Sequence, residues 1–277
     1  MKKRKILMQA LIYLLLLPGL LMILFPMYIT IVNASKTPQE SGSDFFRLPS
    51  TIYLGNYQAV LQKNDFFLYI FNTLVIALGT LPIELLLTPL TGYCIQRNAR
   101  RRYFRFLYAF IVCGIFIPFQ ARMIPLVQMM SRLLLMNKIG MVLLYLAATT
   151  PPAVFLVNGA CKAISTEIEE AAIIDGCGPL RVYLAVILPL LKPILSTLLI
   201  KDALFIWNDF QLPLIILNRS SKLWTLQLFQ YNFKSQYQYD YNLAFASFLM
   251  TMLPIMILYV FMQKNFVTGL ASGAIKG

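Results

Sequence analysis

Residues 163–193 read AISTEIEEAAIIDGCGPLRVYLAVILPLLKP and set Glu167, Glu169, Glu170 and Asp175 between two apolar runs, in a chain that carries only 11 acids. The first half has the signals of a short helix. Thr166 and Glu169 fit a T-x-x-E capping box, Glu167 and Glu170 suit the positive end of a helix dipole, and Gly176 stands where the helix should stop. Pro179 then suits the first position of a second helix, Arg181 lies at its boundary, and the apolar run from Val182 continues as a span interrupted at Pro189 and Pro193. Ala171 and Ala172 make a low-relief face, while Ile168, Ile173 and Ile174 offer apolar anchors at helical spacing for a groove on another protein. Taken alone, the pattern also fits an ordinary amphipathic connector.

The composition around this stretch is that of a membrane protein. With 59% apolar residues, 13% charged residues and a mean hydropathy of +0.70, the 277 residues lack the polar surface that a soluble core requires. The net charge of +13 does not point to nucleic acid, because the cations flank apolar runs instead of forming one basic face. Cys94, Cys113, Cys161 and Cys177 are widely spaced and suggest neither a disulfide framework nor a zinc site. The chain has no His, and no G-x-x-x-x-G-K-[ST], G-x-S-x-G or H-E-x-x-H occurs. Nothing here points to an enzyme or to a metal cofactor.

Spans and charges give an orientation. Met1 to Lys5 holds four cations before an apolar run to about Val32, too long for a signal-peptide core and read as an uncleaved first span with its N-terminus inside. A polar segment from Asn33 to Asp65 follows outside, then a second span from about Phe66 to Tyr93. RNARRRYFR, from Arg97 to Arg105, is the most basic stretch and again belongs inside. A third span is expected from about Tyr103 to Ile117, with an interfacial or re-entrant helix between 118 and 140. The fourth runs from about Met141 to Leu156, with a kink expected at Pro151 and Pro152, and brings the chain back inside at Lys162. The fifth covers about Val182 to Trp207, an aromatic-rich hydrophilic loop from Asn218 to Tyr241 lies outside, and the last covers about Asn242 to Met262. The expected fold is an all-α membrane protein of six transmembrane helices, with both termini inside and the 163–193 stretch on the cytoplasmic side between spans four and five.

At Glu170-Ala171-Ala172, Asp175-Gly176 and Ile187-x-Pro189-x-x-x-Pro193 the sequence resembles the EAA loop of binding-protein-dependent ABC importer permeases. Asn56-Tyr57, Asn72-Thr73, Ile117-Pro118 to Ile124-Pro125, Trp207-Asn208-Asp209 and the ending Gly273 to Gly277 are similar to the shorter permease subunit of the carbohydrate-uptake, maltose-type branch. The likeness covers nearly the whole chain and implies one permease domain over 1–277, with its core at about 66–266 and no separate soluble domain. One departure is Cys177-Gly178, where the family commonly has Ala-Ser; both residues remain small.

The resemblance implies that Glu170, Ala171, Ala172, Asp175 and Gly176 form a coupling helix docking on an ATPase. It also implies a second permease subunit, two ATPase subunits that hold the ATP and magnesium, an extracellular solute-binding protein, a sugar substrate, and a bacterial cytoplasmic membrane. The tail from Gly269 to Gly277 is a second, weaker contact with the ATPase. An ion-coupled secondary transporter is the alternative, and would need its own coupling site within the membrane. Glu84, Lys201, Asp202, Trp207 and Asn208 are candidates for a polar substrate path, since acids, amides and aromatic faces suit polyols. Counting depth along straight helices also makes Glu84 and Lys192 a candidate pair. Trp207, Tyr231, Tyr237, Tyr239 and Tyr241 suit an interfacial aromatic belt.

Overall fold

The computed structural model describes residues 2–62, 65–236 and 241–274, except for the side chains of 2–7, 10–11, 232–236, 258 and 262–274. The described residues are helical and contain no strand. Along the chain run α1 (Lys2–Ala34), α2 (Pro38–Ser43), α3 (Gly55–Gln62), α4 (Phe66–Arg97), α5 (Arg102–Cys113), α6 (Phe119–Arg132), α7 (Lys138–Ala163) and α8 (Thr166–Ile174). They are followed by α9 (Pro179–Leu190), α10 (Lys192–Asn208), α11 (Gln211–Leu217), α12 (Leu226–Gln236) and α13 (Tyr241–Ala274).

Four of these contain stretches long and apolar enough to cross a membrane alone: Ile12–Ala34, Phe66–Arg97, Lys138–Ala163 and Tyr241–Phe261. The expected third span, Arg102–Phe116, ends at a 103° bend into Phe119–Arg132, where a separate helix was expected between 118 and 140, whereas the expected fifth span is a bent pair, Pro179–Leu190 with Lys192–Asn208 at 69°. Six is reached when each bent pair counts as one span. Proline chemistry explains both bends. Pro118 holds the preceding Ile117 in extended backbone, φ −84°, so the helix cannot continue through it. Pro189 and Pro193 each lack an N–H donor, and the segment before the second bend relaxes into a wider π turn at Tyr183–Ile187. By contrast, α7 stays one helix through Pro151 and Pro152.

The chain divides into two compact units. In the smaller, residues 1–67 and 229–254, polar side chains satisfy the carbonyls that the end of α1 leaves unpaired. Asn56 Nδ2 donates to Ala34 O at 2.9 Å and Lys36 O at 2.7 Å, and Asn242 Nδ2 donates to Asn33 O at 2.7 Å. Lys36 is fully buried and its ammonium donates to Asp44 O at 2.8 Å. The 33–62 segment is therefore a folded cap built from α2 and α3, and Asn56 of the Asn-Tyr pair is one of its fastenings.

In the larger unit, residues 68–228 and 255–277, α4, α7 and α10 supply two apolar clusters. One gathers Ile76, Leu81, Met141, Leu144 and Ile206 with Ile216 and Leu217 of α11; the other gathers Ala153, Val157 and Cys161 with Val182, Tyr183 and Ile187 beneath α8. At Gly92 a Cβ would lie 2.6 Å from a Val157 methyl carbon and 3.3 Å from the Asn158 backbone N, so α4 and α7 meet closely where only glycine fits. Asn72 Nδ2 donates to Lys222 O and Trp224 O at 3.0 and 2.8 Å, and Thr73 Oγ1 accepts from Leu226 N at 3.0 Å. These bonds pin the 222–226 segment to α4. The 218–241 region is accordingly not a plain hydrophilic loop: α12 lies within it, with Leu226, Leu228 and Gln230 buried. Tyr237 and Tyr239 lie outside the described residues, as do the side chains of the 269–277 tail.

Candidate functional site

The short helix α8 is built and aimed by contacts at three places. Its start is capped by Ser165, whose hydroxyl accepts from Glu167 N at 3.2 Å, so the expected capping box at Thr166 and Glu169 does not form. Glu169 is engaged elsewhere. One carboxylate oxygen accepts from Arg97 Nε at 2.6 Å and the other from the Tyr93 hydroxyl at 2.8 Å, while the Arg97 guanidinium also donates to Ile164 O at 3.1 Å. A charge-assisted pair outcompetes a neutral backbone N–H for a carboxylate, which is why the sequence pattern misled. Tyr93 in turn lies against Tyr183, with ring centroids 5.4 Å apart.

The end of α8 is a Schellman turn. Asp175 is the cap, Gly176 takes φ +84°, Gly176 N–H bonds to Ile173 O at 2.9 Å, and Cys177 N–H reaches back to Ala172 O at 3.0 Å. Ala172 and Cys177, which bracket the turn, pack on the apolar cluster of α7 and α9. Gly178 then caps α9, which opens with Pro179 at its first turn.

The outward face follows from this anchoring. Glu170, Ala171, Asp175 and Gly176 are exposed, and the three isoleucines stand in the open, with Ile174 at 85% exposure. Ala172 is turned partly to the chain's own core, so its small size is used for internal packing as well as for any partner. Sequence reasoning placed Arg97 only in a topogenic basic cluster and did not single out Tyr93. Their i, i+4 spacing on one face of α4 was the available signal.

A second polar site lies inside the larger unit. Glu84 of α4 and Asp202 of α10 are each 1% exposed, and the Glu84 carboxyl lies near Asp202, Lys201 and the Thr149 hydroxyl of α7. Lys201 forms an ion pair with Asp202. Glu84 Oε1, Asp202 Oδ2 and Thr88 Oγ1 are buried without a hydrogen-bond partner. The structure thus brings together Glu84, Lys201 and Asp202, which the sequence nominated, and adds Thr149.

It does not pair Glu84 with Lys192, which is exposed at the start of α10. The 69° break before Lys192 invalidates depth counting along one straight helix, and the residue that meets Glu84 lies ten positions further on. Trp207 is buried and therefore stands outside any interfacial belt, whereas Tyr231 and Tyr241 are exposed. Asn208 is exposed, with its amide on Leu204 O at 2.9 Å. Asp209, just before α11, accepts from Gln211 N at 2.9 Å and from the Tyr145 hydroxyl at 3.0 Å. Among the described residues no group of three or more His, Cys, Asp or Glu could hold a metal ion.

Residues 88–272 match the family described as the inner membrane component of binding-protein-dependent transport systems. The chain belongs to that family. It is a permease subunit and not itself the ATPase, which in this family is a separate chain. The motif at Glu170–Gly176 is the one characteristic of these permeases. Over 266 residues, 95% of this permease and 96% of the relative, it is 41% identical to the multiple sugar-binding transport system permease protein MsmG of Streptococcus mutans. It is 36% identical over 251 residues, 91% of each chain, to the probable starch degradation products transport system permease protein AmyC of Thermoanaerobacterium thermosulfurigenes. A crystal structure of a bacterial ABC transporter that imports the acidic polysaccharide alginate shares the fold, with a TM-score of 0.80 at 24% identity, covering 94% of this permease and 96% of that chain.

Proposed function

We propose that this permease moves a sugar or oligosaccharide inward by alternating access, driven by ATPase subunits that dock on α8. The observation that carries this reading is the geometry of α8: a short helix fixed at one side by Glu169 on Arg97 and Tyr93, fixed at its end by the Gly176 turn, and presenting Ile168, Ile173, Ile174, Glu170 and Ala171 to the outside. A helix so anchored transmits a push to α4 and α9 together instead of absorbing it by bending. In this reading Glu170, Ala171, Ala172, Asp175 and Gly176 are the coupling residues, with Ala171 in the contact face and Ala172 and Gly176 setting its position.

The remaining partners are a second permease subunit, two ATPase subunits carrying ATP and magnesium, and an extracellular solute-binding protein, in a bacterial cytoplasmic membrane with both termini inside. Saccharide is favoured as cargo because the relatives are named for sugars and starch products, and the fold is shared with an alginate importer. The buried Glu84 and Asp202 with the part-exposed Lys201 supply the polar lining that a polyol path needs, with Trp207 and Asn208 further along α10. The test is uptake of labelled oligosaccharides by vesicles holding the purified permeases and ATPase, with the binding protein outside. Uptake should require both ATP inside and the binding protein. Uptake driven by an ion gradient without ATP would overturn the reading.

A further inference from the structure

At the end of the spans that carries Arg97 and Lys162, a cavity of about 540 Å³ opens between the last turn of α4, the first turns of α5 and the last turns of α7. Arg105 and Lys162 line it, and neither is in an ion pair among the described residues. No acid lines it. Tyr108 and Asn158 add hydrogen-bonding groups, while Phe104 and Phe155 make an apolar wall.

We infer that this cavity holds the headgroup of an anionic phospholipid of the inner leaflet. Two unpaired cations, neutral donors and an apolar wall at the end of membrane-spanning helices match a phosphate diester with its acyl chains lying alongside α5, and a zwitterionic headgroup would bring an ammonium against Arg105 and Lys162. Arg100 and Arg101 before α5 and Arg102 at its start add to the same field. The inference rests on the orientation in the proposed function, which thiol labelling of residue 99 from either side of sealed vesicles checks separately.

The experiment is native mass spectrometry of the full-length permease, solubilised with the subunits that co-purify and titrated with dioleoylphosphatidylglycerol or dioleoylphosphatidylcholine. Phosphatidylglycerol should be retained in preference. Arg105→Gln and Lys162→Gln should each weaken it about five-fold, and the double variant about 25-fold. Gly159→Leu keeps both cations but narrows the cavity, and because a Cβ at Gly159 meets nothing within 4 Å it should fold normally and still hold the lipid more weakly. Equal retention of the two lipids, or an undiminished affinity in Gly159→Leu, would overturn the site. So would occupation by a neighbouring subunit, seen as Gly159→Cys shielded from maleimide in the delipidated complex but labelled in the isolated permease.

Discussion

Arg97→Gln should loosen α8 from the membrane helices without touching any residue on its outward face. In the native protein the guanidinium lies 2.6 Å from Glu169 Oε1 and 3.1 Å from Ile164 O, with the two side chains only 16% and 12% exposed. The first contact is charge-assisted and worth about 1.5–3 kcal/mol, and the second adds on the order of 0.5–1 kcal/mol. Tyr93 keeps its 2.8 Å bond to Glu169 and offsets part of the loss, leaving about 2–3 kcal/mol. That corresponds to roughly a 30- to 150-fold increase in the population with α8 undocked. Hydrogen exchange of the amides between 169 and 177, followed by mass spectrometry in detergent, should accelerate by that factor, while the α1 amides stay as they were. A swap of Arg97→Glu with Glu169→Arg should recover part of the protection. If Arg97→Gln left α8 exchange unchanged, the anchoring role assigned to this pair would be wrong.

Gly176→Ala places a side chain at φ +84° and should cost about 1–2 kcal/mol, lowering the thermal midpoint followed by tryptophan fluorescence, with Gly176→Asn milder. Asn72→Leu strips donors from the part-buried Lys222 and Trp224 carbonyls and should cost about 1–3 kcal/mol in the same assay, whereas Asn208→Ala, which loses one local bond at an exposed position, should change it by under about 1 kcal/mol. Glu40 titrates below the usual carboxylate range because its carboxylate accepts from Ser50 N. Its contribution to the 36–50 cap is therefore present above the ordinary carboxylate pKa and lost as pH falls through the lowered value, so exchange at Ser50 should quicken in acid in the native protein but be pH-independent beyond the intrinsic rate in Glu40→Gln.

Local chemistry was the most legible part of the chain. Gly176, Pro179 and the acid-rich helix before them are set by backbone rules that act within a few residues, and they appear in the structure where the sequence places them. What the sequence hid depends on distant partners. Glu169 looked like a cap because its competing partner, Arg97, is 72 positions away. Asn56, Asn72 and Asp209 read as motif letters, and only the fold shows that they fasten the end of α1, the 222–226 segment and the start of α11. The six spans were a tally of apolar runs, and the 103° turn at Ile117-Pro118 falls where the sequence turns mixed in polarity, at Gln120 and Arg122, and ends the third span. For Glu84 the error was geometric, since a straight-helix ruler was applied across the break before Lys192.

The docking of α8 on an ATPase is tested most directly by thiol labelling of Ile174→Cys in the detergent-solubilised permease, with and without the purified ATPase subunits. At 85% exposure this position should react rapidly alone and become protected when the ATPase binds, while the exposed Cys113 on α5 keeps its rate as an internal reference. Equal labelling of Ile174→Cys in the free permease and in the assembled complex would contradict the account.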